Sequence, residues 1–77
     1  MDKNTINTVN VIEIWQGQIQ SLASYPDTPE GNKEAELRFC GLAREKARCS
    51  EADIEVAVED GIAEHELYSV LIFHSTV

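Results

Sequence analysis

The stretch Tyr68-Ser69-Val70-Leu71-Ile72-Phe73-His74 combines a run of apolar residues with a complete absence of charge. In a β-strand, successive side chains point to opposite faces of the sheet. Val70 and Ile72 then share one face while Leu71 and Phe73 share the other, so both faces require cover. Two short helices in so small a chain can hardly cover both. We therefore expect a partner, either a second copy or another protein, to cover one face or the edge of this strand.

The chain has 77 residues, which corresponds to a single domain over residues 1–77. Domains of this size are marginally stable and gain stability from disulfides, a metal or oligomerisation. Cys40 and Cys49 lie about 13 Å apart if one helix holds both, whereas a disulfide requires Cα atoms within about 7 Å. The cysteine and histidine spacing matches no zinc site. Reduced thiols are expected, and oligomerisation remains as the source of stability.

The net charge of −8 is unevenly distributed along the chain. Five of the six Lys and Arg residues lie within residues 33–50, whereas residues 51–77 contain carboxylates and no basic residue. Binding to nucleic acid depends on Lys and Arg that neutralise phosphates, and binding to anionic lipid depends on the same residues. The charge therefore argues against both kinds of partner.

The start of the sequence shows no apolar segment of signal-peptide length behind a basic region. No apolar run approaches the length that spans a membrane. We expect a cytoplasmic protein whose residues 1–7 are frayed.

Two strands and a tight turn are expected in the first third of the chain. Residues 8–15 are rich in β-branched and aromatic side chains, which are typical of a strand. Gly17 permits the positive φ that a hairpin turn requires. Residues 19–25 form the second strand of the predicted hairpin.

A long helix follows, with clear signals at its start. Thr28 is a good N-cap, Pro29 suits the first helical position, and Glu30 complements the positive end of the helix dipole. The helix is predicted to run to about Arg48. Its core stripe consists of Ala35, Phe39, Leu42, Ala43 and Lys46.

Residues 50–61 are ambiguous between a strand and a helix. Ile54 to Glu59 alternates as a strand does, whereas Ser50 and Asp53 resemble a capping box and Gly61 stands where a helix ends. We favour the helix and treat residues 62–67 as a connector. The predicted fold is α+β in the order ββααβ, with a three-stranded sheet packed against two helices. The last strand can pair with either strand of the hairpin.

The acidic end of the chain admits two interpretations. One is a patch that imitates nucleic acid and blocks a basic protein, and the other is a solvated face that maintains solubility. Against the first interpretation, the preceding helix has a net positive charge. The residues of this hypothetical acidic patch are Asp53, Glu55, Glu59, Asp60, Glu64 and Glu66.

The residues expected at an oligomer or partner interface come from two segments. Leu37 lies off the core stripe of the long helix, next to arginines and a glycine, and is either a docking position or an ordinary exposed leucine. The last strand contributes Val70, Leu71, Ile72 and Phe73.

Few residues suggest catalysis or a cofactor. Cys49 precedes a helix N-terminus and follows Arg48, an environment that lowers the pKa of a thiol, although no matching base is evident. His65 and His74 lie in no catalytic or metal-binding pattern. We expect no enzyme activity, no cofactor and no metal.

Three segments resemble those of small uncharacterised bacterial proteins carried on phages and in integron gene cassettes. They are residues 11–14 with Gly17, residues 25–36, and residues 60–61 with 68–75. The resemblance covers most of the chain from Val9 onward, and it assigns no functional residue. It implies an accessory protein, with a helix after Ser50.

Three functions follow as expectations. The first is a homo-oligomeric, non-enzymatic interaction protein, with a homodimer as the simplest form. The second is an acidic inhibitor of a basic protein that handles nucleic acid. The third is a small-ligand carrier or enzyme with a site at a subunit interface that involves Cys49, His65 or His74.

Overall fold

The computed structural model describes residues 7–76, which fold in the order ββααββ. The elements are β1 (Asn7–Trp15), β2 (Gln18–Pro26), α1 (Pro29–Glu45), α2 (Glu51–Asp60), β3 (Ile62–His65) and β4 (Tyr68–Thr76). The α+β class and the two helices are confirmed, whereas the prediction of three strands is wrong. Residues 1–6, for which a frayed start is expected, lie outside the described residues. Asn7, which is included in the same expectation, belongs to β1.

The four strands form one antiparallel sheet in the order β2-β1-β4-β3. The predicted hairpin is confirmed, with Trp15 opposite Gln18 across the turn. The C-terminal strand β4 pairs with β1 along its full length and with β3 on its other side. β3 covers the outer edge of β4 from Tyr68 to Leu71, so β4 has strand neighbours on both sides over that half alone.

The segment predicted as a connector is the fourth strand, β3. It turns into β4 through Glu66 and Leu67, and Glu66 adopts a φ of 54°. Glycine and asparagine usually occupy such left-handed positions. The turn therefore lacks the residues that would have revealed it in the sequence.

Side-chain caps set the ends of the helices. Thr28 accepts a hydrogen bond from the Gly31 amide at the start of α1, and the predicted capping box at Ser50 and Asp53 is present in α2. The helix after Ser50 is thereby confirmed, and it ends at Gly61 in the left-handed conformation. Helix α1 ends at Glu45, earlier than predicted, because the chain turns away and Arg48 adopts a φ of 58°.

Both helices pack on the same face of the sheet. Phe39 of α1 is fully buried against that face, together with Val9, Val11 and Val70. Ala35 and Ala43 are fully buried as well, and their small side chains permit a close approach of α1 to the strands. Within residues 7–76, no helix combines the length and the apolar character needed to cross a membrane.

Candidate functional site

Among residues 7–76, no helix packs on the second face of the sheet, which is called the open face here. Alternation along the strands places Ile12 and Ile14 of β1 on it, because Val9 and Val11 point into the core. The cross-strand register assigns the partners of these residues to the same face. The apolar residues of the open face are Ile12, Ile14, Ile19, Leu22, Ile62, Leu71 and Phe73.

One apolar row crosses the whole sheet on this face. Ile12 lies opposite Leu22 on one side and opposite Leu71 on the other, and Leu71 in turn lies opposite Ile62. Directly opposed side chains of antiparallel strands are about 5 Å apart and contact one another. Leu22 nevertheless retains 61% of its accessible surface, because nothing in the described residues lies above it. The row is therefore an apolar surface without cover.

A hydrogen-bonded group occupies one end of the open face. The Asn10 amide nitrogen donates to Ser75 Oγ at 2.9 Å, and its oxygen accepts from Ser24 Oγ at 2.7 Å. Thr8 Oγ1 lies 3.0 Å from Ser75 Oγ. Because these groups bond to one another, this end of the face presents satisfied polar groups and no charge.

A buried carboxylate lies on the opposite face of the same strand, beneath the helices. Glu13 is 5% exposed and accepts hydrogen bonds from Ser21 Oγ, from Tyr68 Oη at 2.9 Å and from Lys46 Nζ at 3.2 Å. Arg38 Nη2 lies 3.6 Å from Glu13 Oε1, which is the oxygen that accepts from Ser21. Strands β1, β2 and β4 and helix α1 thus meet at one side chain.

The donors around Glu13 determine its protonation. Burial alone raises the pKa of Glu13, but the hydrogen bonds from Ser21, Tyr68 and Lys46 outweigh it, and the pKa lies below its ordinary value. Burial and the bond to this carboxylate raise the pKa of Tyr68. Glu13 is therefore charged, and its lone pairs accept hydrogen bonds from protein donors in place of water. These bonds connect the sheet to the end of α1.

The residues expected at an interface fall into three places. Leu71 and Phe73 lie on the open face, and Phe73 is 43% exposed. Val70 is fully buried beneath the helices and Ile72 packs against the same core, so neither belongs to the open face. Leu37 is exposed on α1 and borders a groove of about 830 Å³ between the two helices.

The residues of the hypothetical acidic patch do not share one surface. Asp53, Glu55, Glu59 and Asp60 are exposed on α2, and Glu55 and Glu59 border the groove between the helices. Glu64 belongs to the open face near the end of β3, whereas Glu66 lies in the turn that follows.

The two histidines considered for chemistry are far apart. His65 lies opposite Tyr68 at one end of β4, while His74 lies six residues further along, about 20 Å away at ordinary strand rise. His74 Nε2 is 2.9 Å from Asn32 Oδ1. Burial and the nearby Asp53 raise the pKa of Cys49, which is opposite to the lowering that its position beside Arg48 and a helix N-terminus favours.

A cleft of about 690 Å³ lies where the two hairpin turns meet. The Gln16 amide donates to the Leu67 carbonyl at 3.0 Å and joins the turns. The cleft is lined by Trp15, Arg48 and His65, together with the carboxylates of Glu45 and Glu66. Within residues 7–76, no group of three or more His, Cys, Asp and Glu side chains is arranged to hold a metal ion.

Two features of this architecture escaped the sequence reasoning. The open face is signalled by Ile12 and Ile14, which are apolar and out of phase with Val9 and Val11 in β1. Glu13 is in phase with those buried valines, and a charge at a core position of a strand indicates a buried ion pair. Both signals come from alternation along one strand.

Comparison with models of known protein families finds no matching family, and comparisons with curated proteins and with solved structures find no match either. No activity, ligand or partner is therefore transferred to this chain from a relative.

Proposed function

We propose that this chain is a homo-oligomeric, non-enzymatic protein-interaction module whose working surface is the open face of the sheet. The observation that supports it is the uncovered apolar row formed by Leu22, Ile12, Leu71 and Ile62 across all four strands. Exposed apolar patches of this extent mark interaction surfaces on soluble domains.

The size of the open face is adequate for a specific interface. Three of its strands have nine residues and the fourth has four. At about 3.3 Å per residue and about 4.8 Å between strands, the flat outline of the face covers about 500 Å². Projecting side chains add accessible area to that outline, which brings it near the roughly 800 Å² per partner of a standard interface.

The charge of the face favours a second copy as the occupant. Glu64 is the one charged residue that the strand register assigns to the open face, while the chain as a whole carries a net charge of −8. A basic partner would be attracted to the acidic helix α2 and not to this face. Two copies that join by their open faces bury apolar surface on both sides and keep their acidic α2 helices apart in solvent. A two-fold axis makes this contact closed.

The arrangement of the titratable groups supports a non-enzymatic function. The lone pairs of Glu13 are engaged by three donors. His65 and His74 lie toward opposite ends of β4, and burial raises the thiol pKa of Cys49. A general base or nucleophile requires a group within reach of a partner and with an accessible pair of electrons.

The test is the molar mass in solution, measured by size-exclusion chromatography with light scattering over a range of concentrations. The wild-type protein is expected at a multiple of its 8.6 kDa chain mass. Phe73→Lys places a charge on the open face, and we expect it to halve the number of associated chains. Val56→Lys is the matched control, because Val56 is an exposed apolar residue on α2 and the substitution adds the same charge.

Two results would contradict the proposal. One is a wild-type protein that is monomeric at every concentration. The other is a folded Phe73→Lys variant that keeps the wild-type mass. Circular dichroism of both lysine variants establishes that they are folded.

A further inference from the structure

The two outer strands of the sheet differ in how they are protected. β3 has four residues and contains Glu64 and His65, whereas β2 has nine residues and contains no charged side chain. Natural sheets protect their edges with short strands, charged side chains, prolines or bulges, because an open edge pairs with other strands. By this criterion β3 is protected and most of β2 is not.

Within the described part of the chain, the outer edge of β2 has no backbone partner. Among residues 7–76, the backbone hydrogen bonds outside the regular elements involve none of residues 18–25. A bulge in the pairing with β1 lies near the turn, where the register shifts between Glu13 and Ile14. Beyond that bulge, Ser21 to Pro26 pair with β1 in regular register, and their side chains carry no charge.

We propose that the β2 edge pairs with the β2 edge of a second copy, in antiparallel orientation about a two-fold axis, to form a continuous eight-stranded sheet. The edge contact is additional to the open-face contact of the proposed function. The total of four chains rests on that proposed function as well. Contact by the open face and contact by the β2 edge use different surfaces, so that together they give a tetramer with D2 symmetry.

The apolar row on the open face favours a second copy over an unrelated extended peptide. Leu22 is the last residue of that row and lies on the edge strand itself. Antiparallel pairing of two β2 strands brings the two Leu22 side chains close together on the same face. The row then continues from one chain into the next, and the open face of the pair becomes one apolar surface of twice the width. A second copy always places an apolar side chain at that position, whereas an unrelated peptide does so only if its sequence happens to match.

The neutrality of β2 favours the same occupant. Two copies that each carry a net charge of −8 repel one another at most surfaces. At the β2 edge, the strand contributes no carboxylate to that repulsion. A charged peptide would find no complementary side chain on this strand, so backbone pairing with an identical neutral strand is the contact that the edge supports best.

Ala23→Lys tests the edge, because an inward-pointing lysine is one of the devices by which natural edges avoid pairing. Ala23 is partly exposed and lies on the helix side of β2, away from the open face. His65→Lys is the matched control, since it places a lysine on the helix side of the opposite edge strand. Light scattering is expected to give four chains for the wild type and for His65→Lys, two for Ala23→Lys, and one for Ala23→Lys combined with Phe73→Lys.

Phe73→Lys alone separates this inference from the proposed function. If the edge pairs, this variant is a dimer, and hydrogen exchange shows protected outward-facing amides within residues 21–25. A monomeric Phe73→Lys with rapid exchange throughout that segment would overturn the edge pairing and leave the open-face contact in place. A Phe73→Lys variant with the wild-type mass, together with a monomeric Ala23→Lys, would support the edge and overturn the open-face contact.

Discussion

Replacing Glu13 by Gln tests whether the buried carboxylate holds the sheet to α1. The substitution preserves the size of the side chain and removes its charge. Glu13 accepts from Ser21 at one oxygen and from Tyr68 and Lys46 at the other. A glutamine can accept at one of these positions, while its amide nitrogen must donate at the other.

The expected loss of stability is set mainly by the hydrogen bonds. The side chains of Lys46 and Arg38 are 53% and 37% exposed, so solvent screens both ion pairs and they contribute little. The best orientation keeps the glutamine oxygen toward Tyr68 and Lys46, with weaker, uncharged bonds, and forces Ser21 to reverse its role. Bonds to a charged acceptor contribute about 1.5–3 kcal/mol and neutral ones about 1 kcal/mol. We therefore expect Glu13→Gln to lower the free energy of unfolding by about 1–3 kcal/mol at pH 7.

The pH dependence provides a second, independent readout. The folded pKa of Glu13 lies below its ordinary value of 4.5, so the carboxylate contributes stability above that value. This contribution disappears as the pH falls through the lowered, folded pKa. The difference in stability between the wild type and Glu13→Gln should therefore be largest near pH 7 and should close in acid.

Urea unfolding followed by circular dichroism measures both effects, at the same chain concentration for every variant and at several pH values from 7 down to 3. Glu34→Gln is the matched control, because Glu34 is exposed on α1, away from the open face. We expect the control to stay within about 0.5 kcal/mol of the wild type. A Glu13→Gln variant as stable as the wild type at pH 7 would refute the reasoning, and so would a difference that does not change with pH.

Two further predictions concern the helices and the thiols. Replacement by alanine should change the free energy of unfolding in opposite directions at two glycines of α1. A Cβ on Gly31 would overlap the Pro26 carbonyl oxygen, whereas a Cβ on Gly41 meets nothing within 4 Å. In thermal or urea unfolding, Gly31→Ala should cost about 1–3 kcal/mol or more, and Gly41→Ala should stabilise by about 0.5–1 kcal/mol; a shared sign would contradict the packing described for α1. Burial raises the thiol pKa of both Cys40 and Cys49. Each should therefore react with iodoacetamide at pH 7 more slowly than free cysteine, which mass spectrometry can follow. Faster reaction at either thiol would contradict its buried environment.

The sequence by itself determined the elements that have local signals. Thr28, Ser50 and Gly61 mark helix ends through bonds to backbone groups a few residues away, so they act whatever the rest of the chain does. Gly17 likewise marks the first hairpin, because its positive φ is a property of the turn itself. The doubly apolar C-terminal strand indicated apolar residues on both faces of the sheet, and Val70 lies in the core while Leu71 and Phe73 lie on the open face.

Only the tertiary structure decided which strands pair, and therefore which surface remains open. β3 escaped prediction because its turn places Glu66 in a conformation that glycine normally takes, and pairing along β4 imposes that conformation. The position of β4 beside β1 aligns Leu71 with Ile12 and brings Tyr68 to Glu13, across more than fifty residues of sequence. Such contacts depend on the register between distant segments, which no local pattern specifies, and they are what create both the buried carboxylate and the open apolar face.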